Sequence, residues 1–238
     1  MLRRTARRAF TPDSPLHLTK IPGRKSLDDV CKLSLLEAAD PPTITAIWTN
    51  HHKQYIHYGG RVIPAAAYDA IRTRLEKSPY FVVPVFRDKG LFNVVTNFNR
   101  DLVGVVPLGE WQKRQDHTQI HMTIQFFTEL ARTKGLVLVR TEIQDKVFVR
   151  QDCTFVMQML LKYYSNPGLY EAYVEVFNKR PHAFDFHAFL RHMKDEAGKD
   201  NIKIEDKKTD YSAGDIKVPT PGVAAAIKKA NDVKSHEA

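Results

Sequence analysis

Between Tyr80 and Leu108 the chain carries three short runs of β-branched and aromatic residues separated by turn signals, and this stretch limits the possible folds most. Tyr80 to Arg87 comes first. Asp88-Lys89-Gly90 turns the chain back, Leu91 to Phe98 follows, and Asn99-Arg100-Asp101 turns it again into Leu102 to Leu108. Runs of this texture pair with their neighbours in sequence, which predicts an antiparallel meander. In the second run Phe92, Val94 and Phe98 fall on one face, with Asn93 and Asn97 on the other. Pro84 has no amide hydrogen to give to a ladder, so the first strand is expected at a sheet edge or bulged there.

Helical patterns bracket the meander. Ser26, with Asp29 three residues on, reads as an N-cap and acidic first turn for a helix presenting Leu27, Val30, Cys31 and Leu35. Pro41-Pro42 ends that helix and opens a second, where Ile44, Ile47, Trp48 and His51 or His52 recur at helical spacing. Gly59-Gly60 reads as a turn. Pro64 opens a third helix, with Ala67, Ile71 and Leu75 on one stripe and Pro79 as the stop. Past the meander, Asp116 to Lys134 is expected to be one long helix lined by Ile120, Ile124, Phe127 and Ala131 and ended by Gly135. Leu136 to Val139 reads as a strand buried on both faces. Asp152 is expected to cap a helix that buries Phe155, Val156, Met159, Leu160 and Tyr163 and ends at Asn166-Pro167-Gly168. One or two more helices fill 169 to 196. The fold expected is α/β (α+β): one domain with an antiparallel or mixed sheet of at least four strands packed by helices.

The two ends differ from this middle. Residues 1 to 10 hold Arg3, Arg4, Arg7 and Arg8, no acid, and apolar Leu2, Ala6, Ala9 and Phe10, the description of a mitochondrial targeting helix. The alternative is a disordered basic arm, or one that binds nucleic acid. Prolines 12, 15 and 22 and Gly23 make a linker, so 1–25 is read as targeting segment plus linker. The domain proper is 26–164, a helical extension follows over 165–197, and 198–238 is expected to be a disordered tail, rich in lysine and acids and poor in large apolar residues. The formal charge of +9 falls to +5 without the four leader arginines, and a globule that mildly basic needs no nucleic acid to account for it. No apolar run approaches the roughly 18 to 20 residues of a membrane span.

Motifs for catalysis are missing. The chain has no Gly-x-x-x-x-Gly-Lys phosphate loop and no Gly-x-Ser-x-Gly elbow, and Gly59-Gly60 makes no dinucleotide fingerprint. Cys31 and Cys153 form no CxxC pair. His117 and His121 are four apart on the expected helix but lack a third ligand, and read as solvated histidines. His51, His52 and His57 gather near a helix end, where a cation favours the last carbonyls. His182, His187 and His192 are spaced by five and turn away from one another. No enzyme, cofactor or metal is predicted. Tyr80, Phe81, Phe86, Arg87, Phe98, Arg100 and Trp111 are of the types that anchor protein contacts, although aromatics in such a hairpin mostly serve the core. Arg87, Arg100 and Trp111 are the candidate partner-binding residues.

Five segments resemble the mitochondrial F1-ATPase assembly factors that chaperone the β subunit. They are Ser26-Leu27-Asp28-Asp29-Val30 with Lys32 and Leu33; Ile47-Trp48 with His52; Ile63-Pro64 with Tyr68; Ser78 to Arg87, the most specific; and Phe127, Glu129-Leu130-Ala131, Lys134-Gly135 and Leu136-Val137-Leu138. They cover about residues 26 to 164 in the family's order. Thr141 follows the arginine after the last strand where glycine is expected from the family, and the helical extension and tail past Ser165 have no recognised counterpart in it. The resemblance implies a matrix chaperone that binds free F1 β subunit on surface later covered by α, masking an apolar patch that would otherwise aggregate. Two rivals remain: an RNA- or ribosome-associated basic protein, and a permanent accessory subunit of a respiratory or ATP-synthase complex. Deleting residues 1 to 10 is expected to leave the protein in the cytosol, as read by cell fractionation, and an unchanged mitochondrial location would refute the targeting reading.

Overall fold

In the computed structural model, which describes residues 23–199 except 88–89 and 115–117, six strands form one sheet. They are β1 (Tyr58–Pro64), β2 (Tyr80–Arg87), β3 (Gly90–Asn99), β4 (Leu102–Pro107), β5 (Met122–Phe127) and β6 (Leu136–Ile143). Every neighbouring pair is antiparallel, in the order β1-β6-β5-β4-β3-β2. The expected meander is β2-β3-β4, and it continues through β5 and β6. Pro84 stands opposite Asn93 in β2, which is an edge strand, so its missing donor breaks no inner ladder. The targeting segment, His117 and the expected tail beyond Lys199 lie outside the described residues.

Helices cover both faces. They are α1 (Leu33–Ala38), α2 (Pro41–Lys53), α3 (Ala65–Lys77), α4 (Leu108–Arg114), α5 (Ala131–Lys134), α6 (Arg150–Ser165), α7 (Pro167–Leu169), α8 (Val176–Lys179) and α9 (Phe186–Lys199). A π-helical stretch, Tyr170–Glu175, joins α7 to α8. On one face α3 and α6 bury Tyr68, Ile71 and Leu75 together with the five α6 residues expected from the sequence. The helices after Ser165 share this core. Phe81 of β2 meets Tyr163 at 5.5 Å, Phe189 at 5.4 Å and Phe177 at 6.2 Å between ring centres. The side-chain amide of Asn178 also accepts from the Tyr80 amide (3.1 Å) and donates to its carbonyl (2.6 Å), covering part of the β2 edge. On the other face α2 sets Trp48 and Ile44 against Phe127, Leu130 and Leu138. The Trp48 indole N–H reaches the Val139 carbonyl at 3.1 Å.

Three expectations fail for identifiable reasons. Gly59-Gly60 is not a turn but part of β1. A Cβ on Gly60 would lie 2.6 Å from Cγ of His52, and one on Gly59 would lie 2.6 Å from Oγ1 of Thr141. The glycines are there for close approach within a strand. The long helix over 116–134 is instead β5 followed by the one-turn α5. All six β5 residues are buried, so the strand shows no alternation, and Ile120, Ile124 and Phe127 imitate helical spacing. Gly135 does end α5, in the left-handed conformation (φ 67). The first helix is split. Ser26 and Asp29 make a capping box on a short 3-10 turn, Leu27–Asp29, and α1 starts afresh where the Leu33 amide donates to Asp28 at 3.0 Å. Leu36 rather than Leu35 points inward.

His52 is also not the cationic helix-end residue expected. It is buried, its Nδ1 donates to the Trp48 carbonyl at 2.8 Å, and burial lowers its pKa to about 4, with Arg140 and the neighbouring His51 and Arg150 adding to the depression. Between that value and the ordinary 6.5 the unfolded chain binds a proton that the folded chain refuses, so folding stability falls as pH drops through this window. Chemical denaturation of His52→Gln should show a flatter loss over the same range, and an identical slope would refute the assignment. Gly60→Ala should cost about 1–3 kcal/mol by overpacking against His52. Gly109→Ala in α4, with nothing within 4 Å of the new methyl, should be neutral or stabilising.

Candidate functional site

The β3–β4 hairpin closes on two residues, Arg100 (φ 48) and Asp101 (φ 64), between the paired Asn99 and Leu102. Two consecutive positive φ angles let a tight turn follow the twist of the strands, as in type I′ turns. Asparagine, aspartate and glycine take this conformation readily. Arginine does not, and Arg100 carries about 1–2 kcal/mol of conformational cost. Asp101 is pinned on several sides. Its carboxylate accepts the Tyr68 hydroxyl at 2.5 Å, and its carbonyl accepts the Phe126 amide at 2.9 Å. Arg24 stands 3.4 Å and Arg72 3.8 Å from its carboxylate oxygens. Burial, reinforced by the hydrogen bond to Asp101, pushes the Tyr68 phenol far above the usual tyrosine range, so it stays a donor.

Around this turn lies a groove of about 350 Å³ lined by Arg24, Arg72, Glu76, Pro79, Phe98, Asn99, Arg100 and Asp101. α3 supplies Arg72 and Glu76, one turn apart and paired at 3.0 Å. Arg24 arrives on the segment that precedes the Leu27–Asp29 turn. That segment is held across the second sheet face. Gln125 forms a two-way amide pair with the Lys25 backbone (3.2 and 2.5 Å), Lys25 Nζ meets Glu142 at 2.8 Å, and the Leu27 amide donates to Glu129 at 2.8 Å.

Of the three residues singled out from the sequence, only Arg100 faces this groove. Arg87 sits at the far end of β2, bound to Asp152 of α6 (2.5 Å) and to the Val147 carbonyl (2.8 Å), with its guanidinium 4.4 Å from the centre of the Phe92 ring. It clamps the edge strand to the start of α6. Trp111 is 5% exposed and packed in the core. Sequence reasoning passed over Arg24, Arg72 and Asp101. The Arg72/Glu76 spacing and an aspartate at the second position of a two-residue hairpin turn were the available signals.

A second polar cluster lies at the other end of the strands. His121 is buried just before β5, not solvated on a helix, with Nε2 at 2.8 Å from Glu110 and Nδ1 against Asp145. Exposed apolar side chains gather at this end too. Tyr55 and Ile56 follow α2, and Val149 precedes Arg150, whose guanidinium donates to the His52 and Lys53 carbonyls. Among the described residues no group of three or more histidine, cysteine, aspartate or glutamate side chains is placed to hold a metal. Cys31 and Cys153 are both free.

Comparison with known proteins adds to this geometry. A family model described as ATP11 protein matches residues 6–190, a wider span than the segments that carry the sequence resemblance, and it takes in α7, α8 and part of α9. The chain is similar to a Schizosaccharomyces pombe protein named "Protein atp11, mitochondrial", at 28% identity over 143 residues, covering 55% of this chain and 50% of that protein. It is also similar to the human "ATP synthase mitochondrial F1 complex assembly factor 1", at 24% identity over 174 residues, covering 71% and 52%. The chain spans about half the length of the curated relatives it matches.

Two substitutions test the turn. Tyr68→Phe leaves the buried Asp101 carboxylate without its closest donor and should cost about 1–3 kcal/mol of folding stability in urea titrations. Arg100→Gly should hold stability or raise it by up to about 1 kcal/mol, because relief at φ 48 outweighs the extra freedom glycine gives the unfolded chain.

Proposed function

The chain belongs to the ATP11 protein family, and from that premise we propose that it is a mitochondrial assembly factor for F1-ATPase that holds the unassembled β subunit in the matrix until α pairs with it. The family match over residues 6–190 carries this reading, together with the F1 complex assembly named in the human relative. The protein acts by binding, not by catalysis. An unpaired subunit of an obligate oligomer exposes apolar surface that aggregates unless masked. Tyr55, Ile56 (69% exposed) and Val149 (52%) offer apolar surface of the kind that can mask such a patch, with Arg150 beside them. Arg100 is a second contact, at the opposite end of the strands. Trp111 contributes through the core and Arg87 through the edge clamp, so changes there act on the fold first.

Mixing purified protein with isolated β subunit should keep β soluble in a sedimentation assay, and added α should displace it. Ile56→Asp together with Val149→Asp should weaken capture by about tenfold or more, with unchanged circular dichroism. The reading falls if β aggregates equally with and without the protein and if depletion in cells leaves F1 assembly normal.

A further inference from the structure

We propose that the groove at the β3–β4 turn is a recognition site for an acidic peptide segment, taking one aspartate or glutamate side chain between Arg100 and Arg72. Three arginines border the groove against two carboxylates. Arg72 is committed to Glu76 at 3.0 Å, and Arg24 to Asp101 at 3.4 Å. Asp101 is itself held by Tyr68. Arg100 has no ion-pair or hydrogen-bond partner among the described residues, so the site carries one guanidinium in excess, with its planar fork of donors unspent. That fork matches a carboxylate, which it can grip through two parallel hydrogen bonds.

The conformation around Arg100 points the same way. A free arginine at φ 48 is held against its own backbone preference, on a turn whose other residue is locked by Tyr68 and by the Phe126 amide. Strain of that kind persists where the surroundings over-determine it. The rest of the lining suits a peptide side chain. Pro79 and Phe98 give the lining apolar character suited to methylene groups, and Asn99 gives a donor and an acceptor for backbone. The fixed carboxylates of Glu76 and Asp101 select against phosphate. A doubly charged anion would meet both of them with a single uncompensated arginine, whereas one carboxylate balances it.

The test uses neither F1 subunit, so failure of this site and failure of the assembly reading are distinguishable. A fluorescein-labelled hexapeptide alternating leucine and glutamate is titrated with the full chain by fluorescence anisotropy, beside its glutamine counterpart. The glutamate peptide should bind about tenfold or more tightly than the glutamine one, the size expected for one charge-assisted contact, and the difference should shrink as salt rises. Arg100→Gly should remove that preference while keeping the far-ultraviolet circular dichroism of the native chain. Arg72→Gln supplies a second reading should the glycine variant fail to fold. Arg61→Ala, on the β1 edge and outside the groove, should leave binding unchanged. Equal affinity for the two peptides, wild-type preference in a folded Arg100→Gly or Arg72→Gln, or displacement of the peptide by inorganic phosphate at lower concentration than by unlabelled glutamate peptide would each overturn the proposal.

Discussion

The hydrogen bond from Tyr68 to Asp101, 2.5 Å long and almost wholly buried, is the contact on which this end of the molecule depends. It joins three pieces distant in sequence. Tyr68 belongs to α3, Asp101 to the β3–β4 turn, and the Tyr68 ring stacks on Phe126 of β5 with ring centres 4.8 Å apart. Phe126 in turn donates its amide to the Asp101 carbonyl, so the turn is fixed through both its backbone and its side chain. An uncompensated carboxylate at that depth would be expensive. Tyr68, Arg24 and Arg72 supply the compensation, and in doing so they bring two arginines to the rim of the groove. A local electrostatic need thereby shapes a surface feature.

A sheet buried on both faces sets a second constraint. α3, α6 and the C-terminal helices close one face with apolar side chains and rings. The other face has an apolar half, under Trp48 and Ile44, and a polar strip containing Thr123, Gln125, Arg140 and Glu142. Buried polar groups need partners. Gln125 and Glu142 find theirs in Lys25, on an extended segment that no helix could replace, because Gln125 pairs with a free backbone amide and carbonyl. Lys25, just before the first helical turn, is therefore held as part of the fold.

How much of this could be read from the sequence follows from where side chains alternate. β2 to β4 were legible because turn residues divide them, and Pro84 announced an edge. α2 and α3 were legible because each buries one stripe and exposes the rest, and α6 because a long apolar-rich run ends at Asn166-Pro167-Gly168. β5 was not, since a strand with all six residues buried offers no period of two. β1 was hidden by its glycines, whose purpose is clearance for His52 and Thr141 on other elements. In the candidate site Arg100 was visible as a turn arginine. Asp101 and Arg24 became significant only through tertiary neighbours 33 and 77 residues away, Tyr68 from the first and Asp101 from the second. No local pattern records such pairings.

A protein that holds an assembly intermediate must grip and then let go, and the geometry bears on how both are done. The apolar side chains near Ile56 and the arginine-bordered groove lie at opposite ends of the strands, on a sheet stiffened from both faces. A partner that reached both would be held by two modest contacts at a fixed separation, each weak alone, with the second formed at high effective concentration. The apolar contact supplies free energy with little directionality. The charged one supplies register and is weakened by ions and by competing charge. On the proposed reading, release needs no hydrolysis by this chain. A competing subunit that covers the apolar contact leaves only the charged one, and a single charge-assisted contact of about 1.5–3 kcal/mol is too little to hold a protein partner alone. Loss of one contact thus makes loss of the other fast, which is the behaviour required of a holder that acts by mass action alone.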